Sequence, residues 1–254
     1  MTPFLAGKTV LLTRPRRQSE ETRPRLESLG AAVLIQPVQE IVPAAEIPAD
    51  LFTPASLAAV DRIIFSSSNG VDSFLGTLET LDSGGQKRRT ILSRIPLAAV
   101  GPATARRLES AGLHPDVVPT PHSAEGLLAA LAGEARCGKR FLSIRGDQGR
   151  KVLKEGLTAL GGNVQEVCLY CTREIEKPDE EIVRLMENGV IDYTFVMSPA
   201  TAAGVIRLFG KRLCRTAIVS ISPQTSRTLS EAGCPAAFEA ANAALEDMIE
   251  SLRR

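Results

Sequence analysis

The chain alternates short apolar runs with longer amphipathic stretches. Eight runs stand out: TVLL (9–12), AVLI (32–35), IIF (63–65), LAAV (97–100), FLSI (141–144), VQEVCLY (164–170), YTFVM (193–197) and TAIVSI (216–221). They are rich in Val and Ile, and most do not alternate apolar with polar residues. That is the pattern of parallel strands buried on both faces. The stretches between them read as helices. RQSEETRPRLESLG closes on Gly30, and RKVLKEGLTALGG closes on a glycine pair; glycine suits a helix C-terminus because it adopts positive φ without a Cβ clash. Pro24 falls beyond the first turn of the former, where it is disfavoured. ALEDMIESLRR predicts a last helix. Strand–helix alternation along the whole chain predicts an α/β fold with a mostly parallel sheet. The segments 37–54 and 171–181 read as linkers, so the chain is expected to cross twice between two lobes.

Internal similarity extends over most of the sequence. LLTRPRRQ…LESLGAAVLIQP, from Leu11, matches LSIRGDQG…LTALGGNVQEVC, from Leu142; Arg14 pairs with Arg145 and Gly30 with Gly161, at an offset of 131. FSSSNGVDSF matches VMSPATAAGV at the same offset, pairing Ser67 with Ser198. VGPATARRL (100–108) matches ISPQTSRTL (221–229) at an offset of 121, with Ser222 standing where the first copy has Gly101. The chain therefore reads as two half-length copies, each the size of a small domain. The shortening falls near GGQKRR (84–89), which reads as a solvated loop rather than a binding patch.

Composition then narrows the chemistry. With 44% hydrophobic and 23% charged residues, 254 residues can bury a real core in one large domain or two small ones. A net charge of +1, no Trp and 4% aromatics argue against a nucleic-acid partner or a base-stacking surface. No apolar stretch approaches the about 18 residues of a membrane span, and MTPFLAGKTV lacks a signal-peptide core, so a cytoplasmic protein without a membrane partner is expected. The five cysteines are then expected to be reduced thiols. CLYC (168–171) lies in a strand-like stretch, where side chains three apart point to opposite faces. The only histidines are His114 and His122, so no metal site is expected. Phosphate-loop, dinucleotide and nucleophile-elbow motifs are missing, and no cofactor is expected.

Candidate chemistry lies in the loops after the strands, where open α/β sheets bind ligands. TRPRRQ and IRGDQGR form one pair of loops, SSSNG and MSPAT a second, GPAT and SPQT a third. Each runs from a strand into a helix, so backbone N–H groups and a helix N-terminus face it, which suits anions. Arg14 and Arg145 are suited to grip carboxylates, although arginines there are equally ordinary surface charges. The serines and threonines are also simply good N-caps. Two such edges facing across a cleft would make a wide polyanion site.

These motifs, in this order, resemble the uroporphyrinogen-III synthase family. The likeness rests on VLLTRPRRQ, IIFSSSNGVDSF, AAVGPATARRLESAGL, LSIRGDQGR and AIVSISPQTSRTLSEAG, which together span nearly the whole chain. It implies two flavodoxin-like lobes of three layers each, with a parallel sheet and exchanged halves. One lobe would be 1–37 plus 177–254 and the other 45–167, with 38–44 and 168–176 as a two-stranded linker. It also implies a cofactor-free hydro-lyase that dehydrates linear hydroxymethylbilane and closes it, with inversion of ring D through a spiro-pyrrolenine, to uroporphyrinogen III. A monomer is implied, with substrate handed over by hydroxymethylbilane synthase.

Carried onto this sequence, the resemblance makes Tyr170, in LYCT, the residue that assists loss of the hydroxyl. The alternative is a strand tyrosine packed at a lobe junction. Thr104 and Thr225 become the threonines of the two G-P-x-T-like loops, and Ser198 and Ser67 the serines of the second pair. With Ser68, Asn69, Gly101, Ser222, Arg14 and Arg145 they make up the expected substrate-binding set. Ser222 departs from the family's more usual glycine. The competing reading is a non-catalytic bilobal sensor that binds a small anion.

Overall fold

The apolar runs form strands and the intervening stretches form helices in the computed structural model, which describes residues 3–81, 92 and 94–253. In chain order the elements are β1 (Thr9–Leu12), α1 (Arg16–Glu27), β2 (Ala32–Ile35), β3 (Gln39–Pro43), α2 (Pro54–Ala58), β4 (Arg62–Phe65), α3 (Ser68–Leu81), β5 (Leu97–Ala99), α4 (Pro102–Glu109), α5 (Ala124–Arg136), β6 (Arg140–Gly146), α6 (Val152–Ala159), β7 (Asn163–Glu174), α7 (Glu180–Glu187), β8 (Tyr193–Val196), α8 (Pro199–Phe209), β9 (Ala217–Ser220), α9 (Pro223–Glu231), β10 (Phe238–Glu239) and α10 (Leu245–Ser251). The GGQKRR stretch lies outside the described residues.

The chain divides into two compact units, 1–40 with 173–254, and 41–172. The first holds a parallel sheet of order β10-β9-β8-β1-β2. Its central strands β1, β8 and β9 are buried on both faces, which is why they read as unbroken apolar runs, while the edge strands β2 and β10 are more open. Leu11 packs with α7, α8 and α9 through Met186, Val205 and Leu229, while Val10 and Leu12 pack with Leu26 of α1 and Met248 of α10. Pro24 sits inside α1. It costs one helical N–H, but Ser28 N–H still donates to the Pro24 carbonyl at 2.9 Å, so the helix runs through it.

The second unit's sheet has the order β3-β7-β6-β4-β5, in which β7, β6, β4 and β5 are parallel. Ile63 and Phe65 pack with Phe74 of α3 and Leu108 of α4, and Ile64 faces Leu127 of α5 and Leu157 of α6. At the start of β4, Arg62 is only 4% exposed. It donates to Asp116 at 2.6 and 2.9 Å and to Glu134 at 3.0 and 2.8 Å. Burial opposes its charge, but these bonds outweigh burial and push its pKa up. The same bonds hold both carboxyls below their ordinary values.

Three expectations change. The 37–54 segment is not a bare linker: it supplies β3, a 3-10 turn at Ala49–Phe52 and the start of α2, because Phe52 and Leu57 bury completely and anchor it to the core. The 171–181 segment is strand as far as Glu174 and helix from Glu180. Cys214 and Cys234 are joined as a disulfide across 20 residues, with Cα atoms 5.5 Å apart, while Cys137, Cys168 and Cys171 are free. The reading of five free thiols fails for that pair because the turns before β9 and after α9 bring them together.

Candidate functional site

Parallel strands deliver their following loops to one edge of a sheet, so the geometry of each unit's edge follows from its topology. In the first unit the edge carries Arg14 after β1, Ser198 after β8 and Ser222 after β9. Ser198 caps α8: its Oγ accepts from Thr201 N–H at 3.0 Å and lies 2.8 Å from Thr201 Oγ1. Ser222 caps α9 in the same way, accepting from Thr225 N–H at 3.4 Å with its Oγ 3.0 Å from Thr225 Oγ1. Proline occupies the first turn of both helices, where its missing N–H costs nothing. These are the N-caps that the residue types predict. Thr225 is fully buried and engaged.

Arg14 differs from every other candidate here. Its side chain is half-buried, no ion pair holds it among the described residues, and burial pulls its pKa below the usual arginine value. A guanidinium in that state remains charged and favours an incoming anion.

In the second unit the edge carries Ser67, Ser68 and Asn69 after β4, Gly101 and Thr104 after β5, Arg145 at the end of β6 and Tyr170 late in β7. Ser68 and Asn69 open α3 and are half-buried. Ser67 accepts from Gly70 N–H at 3.0 Å, and its Oγ lies 2.8 Å from the Tyr170 hydroxyl. Tyr170 is 9% exposed, and burial raises its pKa above the ordinary tyrosine value against the opposing effect of the Ser67 bond. The phenol is therefore held protonated at neutral pH, with a hydroxyl beside it that can stabilise its conjugate base. Gly146 is what lets the ring lie there. A Cβ on Gly146 would stand 2.5 Å from Tyr170 Cε2 and Cζ and 2.9 Å from its hydroxyl. A register shift between Arg145 and Gly146 sets Gly146 opposite Tyr170.

Gly101 has no side chain to cap α4. Thr104 is 3% exposed, and no hydrogen bond to its hydroxyl occurs among the described residues. The change from Gly101 to Ser222 thus has a physical meaning: Ser222 occupies the Thr225 hydroxyl, and Gly101 leaves that of Thr104 unengaged.

Arg145 is not the equal of Arg14. Its Nε lies 3.3 Å from Glu166 Oε2, and its Nη1 donates to the Gly149 carbonyl. The sequence marks no partner for it, because Glu166 reaches it only through the pairing of β6 with β7. Cys168 and Cys171 are not bonded to each other, and burial pushes the Cys168 thiol up, away from reactive thiolate. Among the described residues no group of His, Cys, Asp and Glu could hold a metal ion. Among the described residues no helix is long and apolar enough to cross a membrane.

A family model described as "Uroporphyrinogen-III synthase HemD" matches residues 20–250. The chain is 31% identical over 243 residues to the uroporphyrinogen-III synthase of Synechococcus elongatus, covering 89% of this chain and 87% of that one. It is 28% identical over 229 residues to that of Chlorobaculum parvum, covering 89% and 90%. The solved uroporphyrinogen-III synthetase of Helicobacter pylori shares the fold, with a TM-score of 0.60 at 18% identity over 96% of this chain and 97% of that one. A mutant synthase from Thermus thermophilus does so with a TM-score of 0.57 at 20% identity, over 97% and 98%.

Proposed function

The chain belongs to the uroporphyrinogen-III synthase family, and we propose that it carries out that family's cyclisation with Tyr170 as proton donor and Arg14, Thr104 and the loop amides as holders of the substrate's acid groups. The enzyme class is a cyclising lyase. The comparisons favour this activity over a non-catalytic anion sensor.

Linear hydroxymethylbilane must lose its hydroxyl as water, which needs a proton at the leaving oxygen. Tyr170 O–H supplies it, and the Ser67 hydroxyl, 2.8 Å away, steadies the resulting phenolate. The azafulvene left behind is attacked at the substituted carbon of the last pyrrole. The spiro-pyrrolenine then rearranges with ring D inverted and closes to uroporphyrinogen III. Without an enzyme the same substrate closes to isomer I, so holding the chain's conformation matters as much as the proton. Its acetate and propionate groups suit backbone N–H groups, hydroxyls and an unpaired arginine. Arg145, Ser67, Ser68, Asn69, Gly101, Ser198, Ser222 and Thr225 complete the set, with Arg145 and Thr225 the more committed to internal partners.

The observation that carries this reading is the hydrogen bond between the buried Tyr170 and the half-buried Ser67. Tyr170→Phe keeps the ring and removes the proton, so it is expected to slow isomer III formation strongly at unchanged stability. A full rate would remove Tyr170 from the mechanism.

The strand orders support an internal duplication with exchanged halves. The offset that aligns Leu11 with Leu142 equates β1 with β6, and the one that aligns Ser67 with Ser198 equates β4 with β8. One sheet then combines β1 and β2 with β8 and β9, the other β4 and β5 with β6 and β7. Lobes of 1–37 plus 177–254 and of 45–167, with 38–44 and 168–176 as linker strands, belong to the same proposal. So do a cytoplasmic monomer and handover from hydroxymethylbilane synthase.

A further inference from the structure

On the α5/α6 face of the second unit's sheet, at the edge where the strands end, lies a cavity of about 330 Å³. This is at the lower end of ligand-pocket volumes. Its floor is a row of side chains from adjacent strands: Val100, Ser66, Ser143, Arg145 and Glu166. Ser123 and Ala124, at the start of α5, and His122 close it. Ser143 is only 1% exposed, and its hydroxyl makes no hydrogen bond among the described residues. The residue is buried among the strands, and the hydroxyl is reached only through the cavity, where it is open to a ligand.

The rest of the lining supplies donors. Ser123 caps α5 by accepting from Gly126 N–H at 3.1 Å. The Ala124 N–H is one that a helix start leaves without an internal partner, whereas the Glu125 N–H donates to that residue's own carboxylate. His122 Nδ1 lies 2.6 Å from the Pro119 carbonyl, which can only accept, so the ring spends its Nδ1 hydrogen there and bounds the cavity without adding a donor to it. Arg145 faces Glu166, and Arg150 is paired with Glu125 at 2.6 Å. Both arginines are thus compensated. The cavity offers directed hydrogen bonds with little net charge, and Glu166 would oppose a dianion. That combination fits a single carboxylate better than a phosphate.

We propose that this cavity is a subsite for one carboxylate arm of the linear tetrapyrrole, held by the α5 N-terminus and the Ser143 hydroxyl. The assignment rests on the function proposed above. It makes Ser143 and Ala124 determinants of substrate binding that lie apart from the Tyr170–Ser67 pair.

Two variants test it. Ala124→Pro deletes one N–H at the first helical position, where proline is favoured, and the extended Ser123 (ψ 168°) suits a following proline. Ser143→Ala deletes the hydroxyl. With hydroxymethylbilane as substrate, each is expected to raise KM about tenfold, as for a hydrogen bond to a charged group, while kcat and the unfolding midpoint hold. Unchanged KM in both variants overturns the subsite. Inorganic phosphate is the second probe. Stabilisation of the wild type by phosphate that Ala124→Pro abolishes, with KM unmoved, would make this a free-anion site and also overturn the proposal. Failure of the wild type to make isomer III would instead overturn the parent reading.

Discussion

Replacing Gly146 by alanine probes the site through a residue that carries no chemistry. Its φ is not in the left-handed region, so the backbone accepts alanine. The cost is steric. The new Cβ would sit 2.5 Å from two ring carbons of Tyr170, where about 3.5 Å or more is needed. The ring must withdraw by about 1 Å. A shift of that size takes its hydroxyl out of hydrogen-bond range of Ser67, now 2.8 Å away. Misplacement of a reacting group by about 1 Å costs on the order of 10²-fold in rate. Overpacking should lower stability by about 1–3 kcal/mol, too little by itself to unfold a typical domain. The assay is the initial rate of isomer III formation beside a urea melt of the same preparation. The sharper form is a cycle with Tyr170→Phe. If Gly146→Ala acts only by displacing the phenol, the double variant should be little slower than Tyr170→Phe alone. A folded Gly146→Ala enzyme working at the full wild-type rate would refute the reasoning.

Further outcomes follow from the same geometry. Tyr170→Phe should lower kcat by about 10²- to 10⁴-fold, the usual worth of a positioned acid. Because the Tyr170 pKa is raised, the wild-type rate should show no alkaline loss from this group between about pH 7 and 9. Arg14→Ala should raise KM with little effect on stability, whereas Arg145→Ala should chiefly destabilise, and Arg145→Ala/Glu166→Gln should recover part of that loss; equal KM effects without a stability difference would contradict the distinction. Thr104→Val should raise KM more than Thr225→Val, since only the latter hydroxyl is already engaged. Asp116 and Glu134 have depressed folded-state values, so their pairs with Arg62 stabilise above about pH 4 and fail as pH falls through those lower values. Asp116→Asn/Glu134→Gln should flatten this acid limb in a pH series of melts, modestly at the half-exposed Asp116.

The α/β class and the parallel sheets were legible because strands such as β1 and β4 are buried on both faces and therefore read as unbroken apolar runs. What escaped had no such pattern. β10 is two residues long, and β3 is a Pro-ended strand in a proline-rich stretch, so neither stands out from a loop. The candidate residues were legible as positions, because strand–loop–helix junctions carry recognisable Ser, Thr, Gly and Arg residues. Their states were not. Arg14 and Arg145 are equivalent in the repeat, yet Glu166 neutralises only one of them, through strand pairing. Ser67 and Tyr170 are 103 residues apart, and only the fold makes them a pair. The need for glycine at 146 comes from that same ring, and no local pattern signals it. Ser143 looks like any polar residue inside a strand until the cavity above it is seen.

The most direct measurement supplies hydroxymethylbilane, made in situ, to the wild-type protein, oxidises the products and resolves isomers I and III. Isomer III should dominate over the spontaneous background, and Tyr170→Phe should return the mixture toward isomer I. Only isomer I above background with the wild-type protein would contradict the assigned reaction.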